Sequence, residues 1–253
     1  MLDIVNLPRL MSLTRGRPEI AVALIDGPMN TRLPQFGSSK ISDVSSRPID
    51  NGSCRLPDSA ACIHGTLVAG VLIGLRASTP AICPDCTLLL RPIFGESDEN
   101  IDDVPASRPE VLAAAIIETI NAGARIINLS CGVSRCSARE ENSLRAALVY
   151  AANKGVLVVA AAGNPAAIGG SCITKDPWVI PIISINRAGR PVDDSNLSSS
   201  IGQRGLGAPG QDVTSLSPDG MPTSFSGTSA ACPFVTGAAA LLWSEYPDLP
   251  GAR

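Results

Sequence analysis

Five short apolar runs alternate with longer stretches of helical periodicity, and this alternation constrains the fold more than any other feature of the chain. Residues 20–26 (IAVALID), 88–94 (LLLRPIF), 125–130 (RIINLS), 156–162 (VLVVAAA) and 178–185 (WVIPIISI) read as buried strands. Between them, residues 65–75 place Leu67, Val68, Val71, Leu72 and Leu75 at helical spacing. Residues 110–122 and 140–153 follow suit, and Gly123 and Gly155 come next as helix terminators. Residues 228–245 are apolar on most sides, which predicts a central, buried helix. This pattern is that of an α/β fold with a mostly parallel central sheet and helices on both faces. The polar stretches 38–61 and 95–109 read as surface loops, and 195–227 as turns and short strands.

With 253 residues, 45% of them hydrophobic, the chain has enough apolar mass for the core of one domain. A formal net charge of −3 leaves no basic footprint for nucleic acid or an anionic membrane. The longest apolar runs fall far short of the roughly 20 residues that span a bilayer. Residues 1–20 lack the apolar stretch of a signal peptide, so a cytoplasmic (bacterial) location is the default expectation, with secretion after removal of a pre-pro segment as the alternative. A single histidine excludes any mechanism built on two or three His ligands.

In an open parallel sheet, ligands bind at the carboxyl ends of the strands. Asp26 ends the first expected strand and precedes the turn Gly27-Pro28; alone, it reads as a cap or turn aspartate. His64, read as opening the next helix, would stand on the same edge. Ser229 lies at the start of the buried helix, in Ser226-Gly227-Thr228-Ser229-Ala230-Ala231-Cys232-Pro233. It is an N-cap on the plain reading and a rigidly held nucleophile on the functional one. Asn164 closes Ala160-Ala161-Ala162-Gly163-Asn164; it is a turn former by default and an amide donor to an oxyanion on the functional reading. Together the four would put an Asp, a His, an Asn and a Ser on one rim.

Five segments, in this order, resemble the subtilisin-like serine proteases: Val22-Ala23-Leu24-Ile25-Asp26-Gly27, His64-Gly65-Thr66-Leu67-Val68-Ala69-Gly70, Ile127-Asn128-Leu129-Ser130, residues 160–164 and residues 226–233. The order Asp, His, Ser, at spacings of 38 and 165 residues, is that family's triad order. The Asp26-Gly27-Pro28 ending resembles subtilases of cyanobactin-type peptide maturation. The resemblance implies a subtilisin-like fold with the triad at the carboxyl edge of the sheet. It implies a single peptidase domain over 1–253, with 1–19 as an N-terminal extension and truncated C-terminal elements. Exposed apolar surface, or a downstream domain or partner covering it, is expected near the end of the chain.

By the same resemblance, Asp26 orients His64, His64 is the general base, Ser229 the nucleophile and Asn164 an oxyanion donor, joined by the Ser229 N–H. Ser130, Cys131 and Gly132 would pair with the substrate as an added strand. Ala161, Ala162 and Gly163 would wall the pocket for the residue before the cut, and the loop of Ser171 would close its far end. The segment 95–101 would face the substrate's other side. Its acidic cluster (Glu96, Asp98, Glu99, Asp102, Asp103) reads first as a solvated charged loop and second as a preference for basic substrates.

There are eight cysteines. Cys83 and Cys86 with Cys54 and Cys62 have the ingredients of a zinc site, but no histidine is spare and the 54/62 spacing is wide. Cys54 with Cys62, and Cys83 with Cys86, are candidate local bridges. The resemblance brings the loop of Cys131 or Cys136 close to that of Cys172, where a bridge would stiffen the specificity pocket. Cys232 reads as a small core residue. No cofactor is expected for catalysis; family likeness allows a structural calcium, but no compact carboxylate set is in view to hold it.

The expected activity is a serine endopeptidase acting on a peptide or protein, removing a leader or flanking segment from a precursor. The alternative is macrocyclisation, in which a peptide amine rather than water captures the acyl-enzyme. Macrocyclising relatives carry a helical insertion between Asp and His; the polar stretch here favours hydrolysis. A binding pseudoenzyme would have little reason to keep all four positions filled.

Overall fold

The computed structural model describes residues 1–37, 39–46, 53–96, 107–130, 136–164, 166–249 and 251. The amino-terminal half contains α1 (Leu7–Leu13), β1 (Ala21–Asp26), β2 (Lys40–Asp43), α2 (Ala60–Ile73), β3 (Thr87–Pro92), α3 (Pro109–Asn121) and β4 (Ile126–Leu129). The rest contains α4 (Ala138–Asn153), β5 (Leu157–Ala161), β6 (Val179–Ile185), α5 (Ser199–Arg204), β7 (Leu206–Pro209), β8 (Val213–Leu216), β9 (Pro222–Phe225) and α6 (Thr228–Glu245).

Strands β1 to β7 form one parallel sheet in the order β2-β3-β1-β4-β5-β6-β7, and β8 and β9 pair as a separate antiparallel ladder. Alternate side chains of β1 enter opposite cores, as a period of two requires. Val22 and Leu24 face α2 and α6, while Ala23 and Ile25 face α3 and α4. The expected α/β fold is therefore observed, with the five foreseen strands in place. Gly123 (φ +95°) and Gly155 (φ +70°) do end their helices in the left-handed region.

Three elements differ from expectation, the first being helix α5, which lies within the stretch read as turns and short strands. β2 lies within the stretch read as a loop; its residues KISD alternate between exposed and half-buried because it is a short edge strand with one neighbour. Helix α2 begins at Ala60, a full turn before His64, so His64 does not open it. The cap is Ser59, whose Oγ accepts the Cys62 N–H at 3.2 Å.

Helix α2 crosses the end of β1 in direct backbone contact. A Cβ at Gly27 would collide with the Ala61 carbonyl oxygen, and one at Gly65 with the carbonyl oxygens of Gly27 and Pro28. Only hydrogen side chains at both positions permit this approach. Helix α6 runs beneath β4 to β7 and against α2, buried along most of its length. At the far end of α2 from His64, Arg76 donates to the main-chain carbonyls of Met11, Ala81 and Ile82, tying the α1 segment down. Leu242, Tyr246 and Leu249 are roughly half exposed, an apolar surface of the kind expected near the end of the chain.

Among the described residues, Cys54 bonds to Cys62 and Cys136 to Cys172. The alternative partner Cys131 lies outside the described residues. Cys83 and Cys86 are not bridged, contrary to expectation; both are buried free thiols at the amino-terminal end of β3. They share a hydrogen bond instead, which raises the Cys83 thiol well above its ordinary value and lowers that of Cys86. The four-cysteine zinc reading fails for the same reason. Cys54 and Cys62 have spent their thiolates on each other, and the remaining pair precedes the amino-terminal end of β3, while Cys54 lies past the carboxyl end of β1. Glu96 approaches the bridged pair, but disulfide sulfurs are not thiolate ligands.

Peptide mapping without reductant should recover the 54–62 and 136–172 cross-links, with Cys83, Cys86 and Cys232 alkylated only after unfolding; reduced thiols at all of these positions would refute both bridges. A Cys136→Ser/Cys172→Ser variant should lose about 3–4 kcal/mol in urea unfolding, the loop-closure value for that span. Gly65→Ala should destabilise the fold by about 1–3 kcal/mol, because backbone rather than a flexible side chain must give way. An unchanged denaturation midpoint would show that the helix crossing is looser than the geometry indicates.

Candidate active site

The chain leaves β1 for the β2 edge and leaves β4 for β5 on the other side, so a crevice opens above the β1 and β4 carboxyl ends. Asp26, last in β1, is fully buried there. Its Oδ1 accepts the Gly27 N–H at 2.6 Å and lies 2.6 Å from His64 Nδ1. Since a carboxylate only accepts, Nδ1 carries the proton and Nε2 is left as the acceptor. Burial pulls the His64 imidazolium down, but the Asp26 charge and hydrogen bond outweigh it, and the net shift is upward from the ordinary histidine value. The His64 side chain keeps 23% of its surface exposed, so the ring borders the crevice.

Ser229 is the second residue of α6. Its Oγ donates to the Ser130 carbonyl at 3.0 Å, and no hydrogen bond joins it to His64 among the described residues. A serine hydroxyl is a free rotor, and catalytic contacts often tighten only once substrate is bound. The Ser229 N–H, in the first turn of the helix, has no partner among the described residues.

Asn164 follows β5. Its Oδ1 accepts both the Thr228 N–H (2.7 Å) and the Thr228 hydroxyl (2.9 Å), and Thr228 Oγ1 accepts the Gly163 N–H (3.1 Å). With the carbonyl end held twice, the amide end is turned away as a donor. Gly227 (φ +118°) packs against that amide, and a Cβ there would come 2.9 Å from Nδ2. Among the described residues, the Asn164 Nδ2 and the Ser229 N–H are thus two donors without a hydrogen-bond partner.

Ala161 and Ala162 are buried at the end of β5, and Gly163 (φ +97°) turns the chain towards Asn164. Ser171 and Thr174 cap each other's N–H groups (2.9 and 3.1 Å), shaping the loop that Cys172 anchors to Cys136. Ser130 lies at the end of β4, whereas Cys131 and Gly132 lie outside the described residues. So do Asp98, Glu99, Asp102 and Asp103. Glu96, read as part of a solvated or substrate-facing cluster, is instead committed internally: its carboxylate accepts the Arg55 and Leu56 N–H groups at 2.9–3.1 Å. A cavity of about 760 Å³, within the range of small-molecule sites, opens on the far side of Asp26 and is lined by Pro28, Asp43, Ser53, Pro92 and Phe94 among others. Thr228 and the two contact glycines, Gly27 and Gly65, were not singled out from the sequence. Thr228 carried a signal, since it sits between the Gly and the Ser of an otherwise flagged motif.

A model described as the Subtilase family matches residues 17–253. Among curated proteins, Mycosin-1 of Mycolicibacterium smegmatis is 29% identical over 92% of this chain and 61% of its own length. The chain thus spans about three-fifths of that relative. Among solved structures, the prenylagaramide maturation protease PagA is 31% identical with a TM-score of 0.83, covering 97% of this chain and 84% of that one. The patellamide maturation protease PatA is 32% identical with a TM-score of 0.77, covering 94% and 84%. The family match over residues 17–253, on a seven-stranded parallel sheet with Asp26 and His64 paired at the end of β1, leads to one conclusion: the chain belongs to the subtilase family.

Proposed function

We propose that this chain is a serine endopeptidase that processes precursor peptides, with Ser229 as nucleophile, His64 as general base, Asp26 as its orienting carboxylate and Asn164 as oxyanion donor. The observation that carries this reading is the buried Asp26–His64 pair, which fixes the imidazole with Nε2 as acceptor. The Ser229 proton passes to Nε2 as Oγ attacks the scissile carbonyl. The developing oxyanion takes up the Asn164 Nδ2 and the Ser229 N–H, neither of which has a partner among the described residues. His64 then gives the proton to the departing amine, and water resolves the acyl-enzyme by the same route. Precursor peptides are proposed as substrates because two similar structures carry the name maturation protease. The stretch between Asp26 and α2 holds a short 3-10 turn (Pro34–Phe36) and β2 among its described residues and no α-helix, in keeping with hydrolysis over cyclisation.

A fluorophosphonate probe should label the protein once, and Ser229→Ala should abolish labelling. An unlabelled native protein refutes the reading. Mass spectrometry of a cleaved test peptide should show products that sum to substrate plus one water; a product isobaric with substrate minus its leaving segment and without that water would assign transamidation instead.

The base must be neutral to act, so kcat/KM should rise with pH through the His64 value. Because that value is raised, the midpoint of the acid limb should lie above the ordinary histidine value of about 6.5. A midpoint below it would contradict the Asp26–His64 coupling.

A further inference from the structure

The Ser229 carbonyl has an unusual partner. In a regular helix it would accept the N–H four residues on. That residue is Pro233, which has no N–H. The carbonyl is not left empty: Ser130 Oγ donates to it at 3.2 Å. Ser130 is only 2% exposed, and its Oγ in turn accepts from Asn128 Nδ2 at 2.8 Å. Asn128 is fixed from its other end, where Oδ1 accepts the Thr236 hydroxyl at 2.8 Å. Asn128 lies on β4 and Ser130 just past its end, two residues on, and both side chains meet α6 through Thr236 and Ser229. The result is a directed chain of three hydrogen bonds that starts on α6, crosses β4 and returns to α6 at the residue read as the nucleophile.

We propose that Ser130 is a positioning residue. Its hydroxyl supplies the donor that Pro233 withholds and so fixes the first turn of α6, setting where the Ser229 Oγ and N–H stand relative to His64 and Asn164. Ser130 grips Ser229 twice, since its own carbonyl also accepts the Ser229 hydroxyl. Asn128 and Thr236 act further back, by holding the Ser130 hydroxyl in the donating orientation. A purely packing role would not require this polarity: an apolar pair would fill the same buried space without leaving a polar chain to satisfy. The kinetic consequence rests on the peptidase reading above; the donor assignment does not.

The test compares the wild type with Ser130→Ala, Pro233→Ala and the double variant. Ser130→Ala should lower kcat by about tenfold, since misplacing a reacting group by an ångström can cost up to 10²-fold. KM should stay close to the wild-type value, and so should the acid limb of kcat/KM, because the Asp26–His64 pair is untouched. In the Ser130→Ala background, Pro233→Ala restores a helical N–H to the Ser229 carbonyl and should recover most of the lost kcat. Should Ser130→Ala not fold, Thr236→Val loosens the same chain from its remote end, and a smaller fall in kcat is expected. With serine carbonyls labelled with carbon-13, the Ser229 resonance should move upfield in Ser130→Ala and return in the double variant. An unchanged kcat in Ser130→Ala, no rescue in the double variant, or an unmoved resonance each overturns the proposal. A wild type that neither labels nor cleaves refutes the peptidase reading, while the carbonyl resonance still decides whether Ser130 is the donor.

Discussion

The arrangement hinges on a contact between two stretches of backbone. Helix α2 lies so close across the Gly27–Pro28 turn that carbonyl oxygens from each side occupy the places where Cβ atoms would be. That closeness is what lets a buried carboxylate at the end of a strand reach an imidazole on a helix. A spacing wider by the size of one methyl group would leave Asp26 as a buried charge with only the Gly27 N–H to answer it. Removing one partner from such a pair is costly, because the other charge is left desolvated. The Cys54–Cys62 bridge reinforces the contact, since Cys62 sits in the turn of α2 just before His64. Glu96 in turn holds the main chain beside Cys54.

The second half of the site is built differently. Ser229 and Asn164 meet through side-chain grips rather than backbone packing. Thr228 binds the Asn164 carbonyl end and the Gly163 N–H, while Ser130 binds both ends of Ser229. Asn164 Oδ1 accepts twice and Thr228 Oγ1 both donates and accepts, which leaves the Asn164 amide and the Ser229 N–H without partners among the described residues. Their freedom follows from the commitments of their neighbours, as it does in preorganised sites generally.

The strands were legible in the sequence because a parallel sheet buried on both faces needs unbroken aliphatic runs, and IAVALID or VLVVAAA has few other uses. The site residues were legible as an order of residue types at strand and helix ends. Other features were hidden for physical reasons. β2 escaped notice because an edge strand half in water needs no apolar run. The start of α2 was misplaced because its cap, Ser59, is followed by Ala60 and Ala61, which show no helical period of their own. Cysteine pairing depends on which loops the fold brings together, so the adjacent Cys83 and Cys86 stayed thiols while Cys136 reached Cys172. Glu96 looked like a surface charge because nothing local reveals that the main chain of Arg55 and Leu56 points its N–H groups at it.

Helix α6 follows every other described element in the chain, yet it supports four of the seven strands of the main sheet from below. During synthesis, β4 to β7 therefore emerge with one apolar face uncovered until residues 228–245 have followed them. Contacts of such long sequence separation form late and fold slowly. The same helix carries Ser229, which is seated only as the core closes. On the proposed peptidase reading, a nascent or partly unfolded chain would hold Asp26 and His64 without a serine to activate, and competence would arrive together with the completed fold rather than ahead of it.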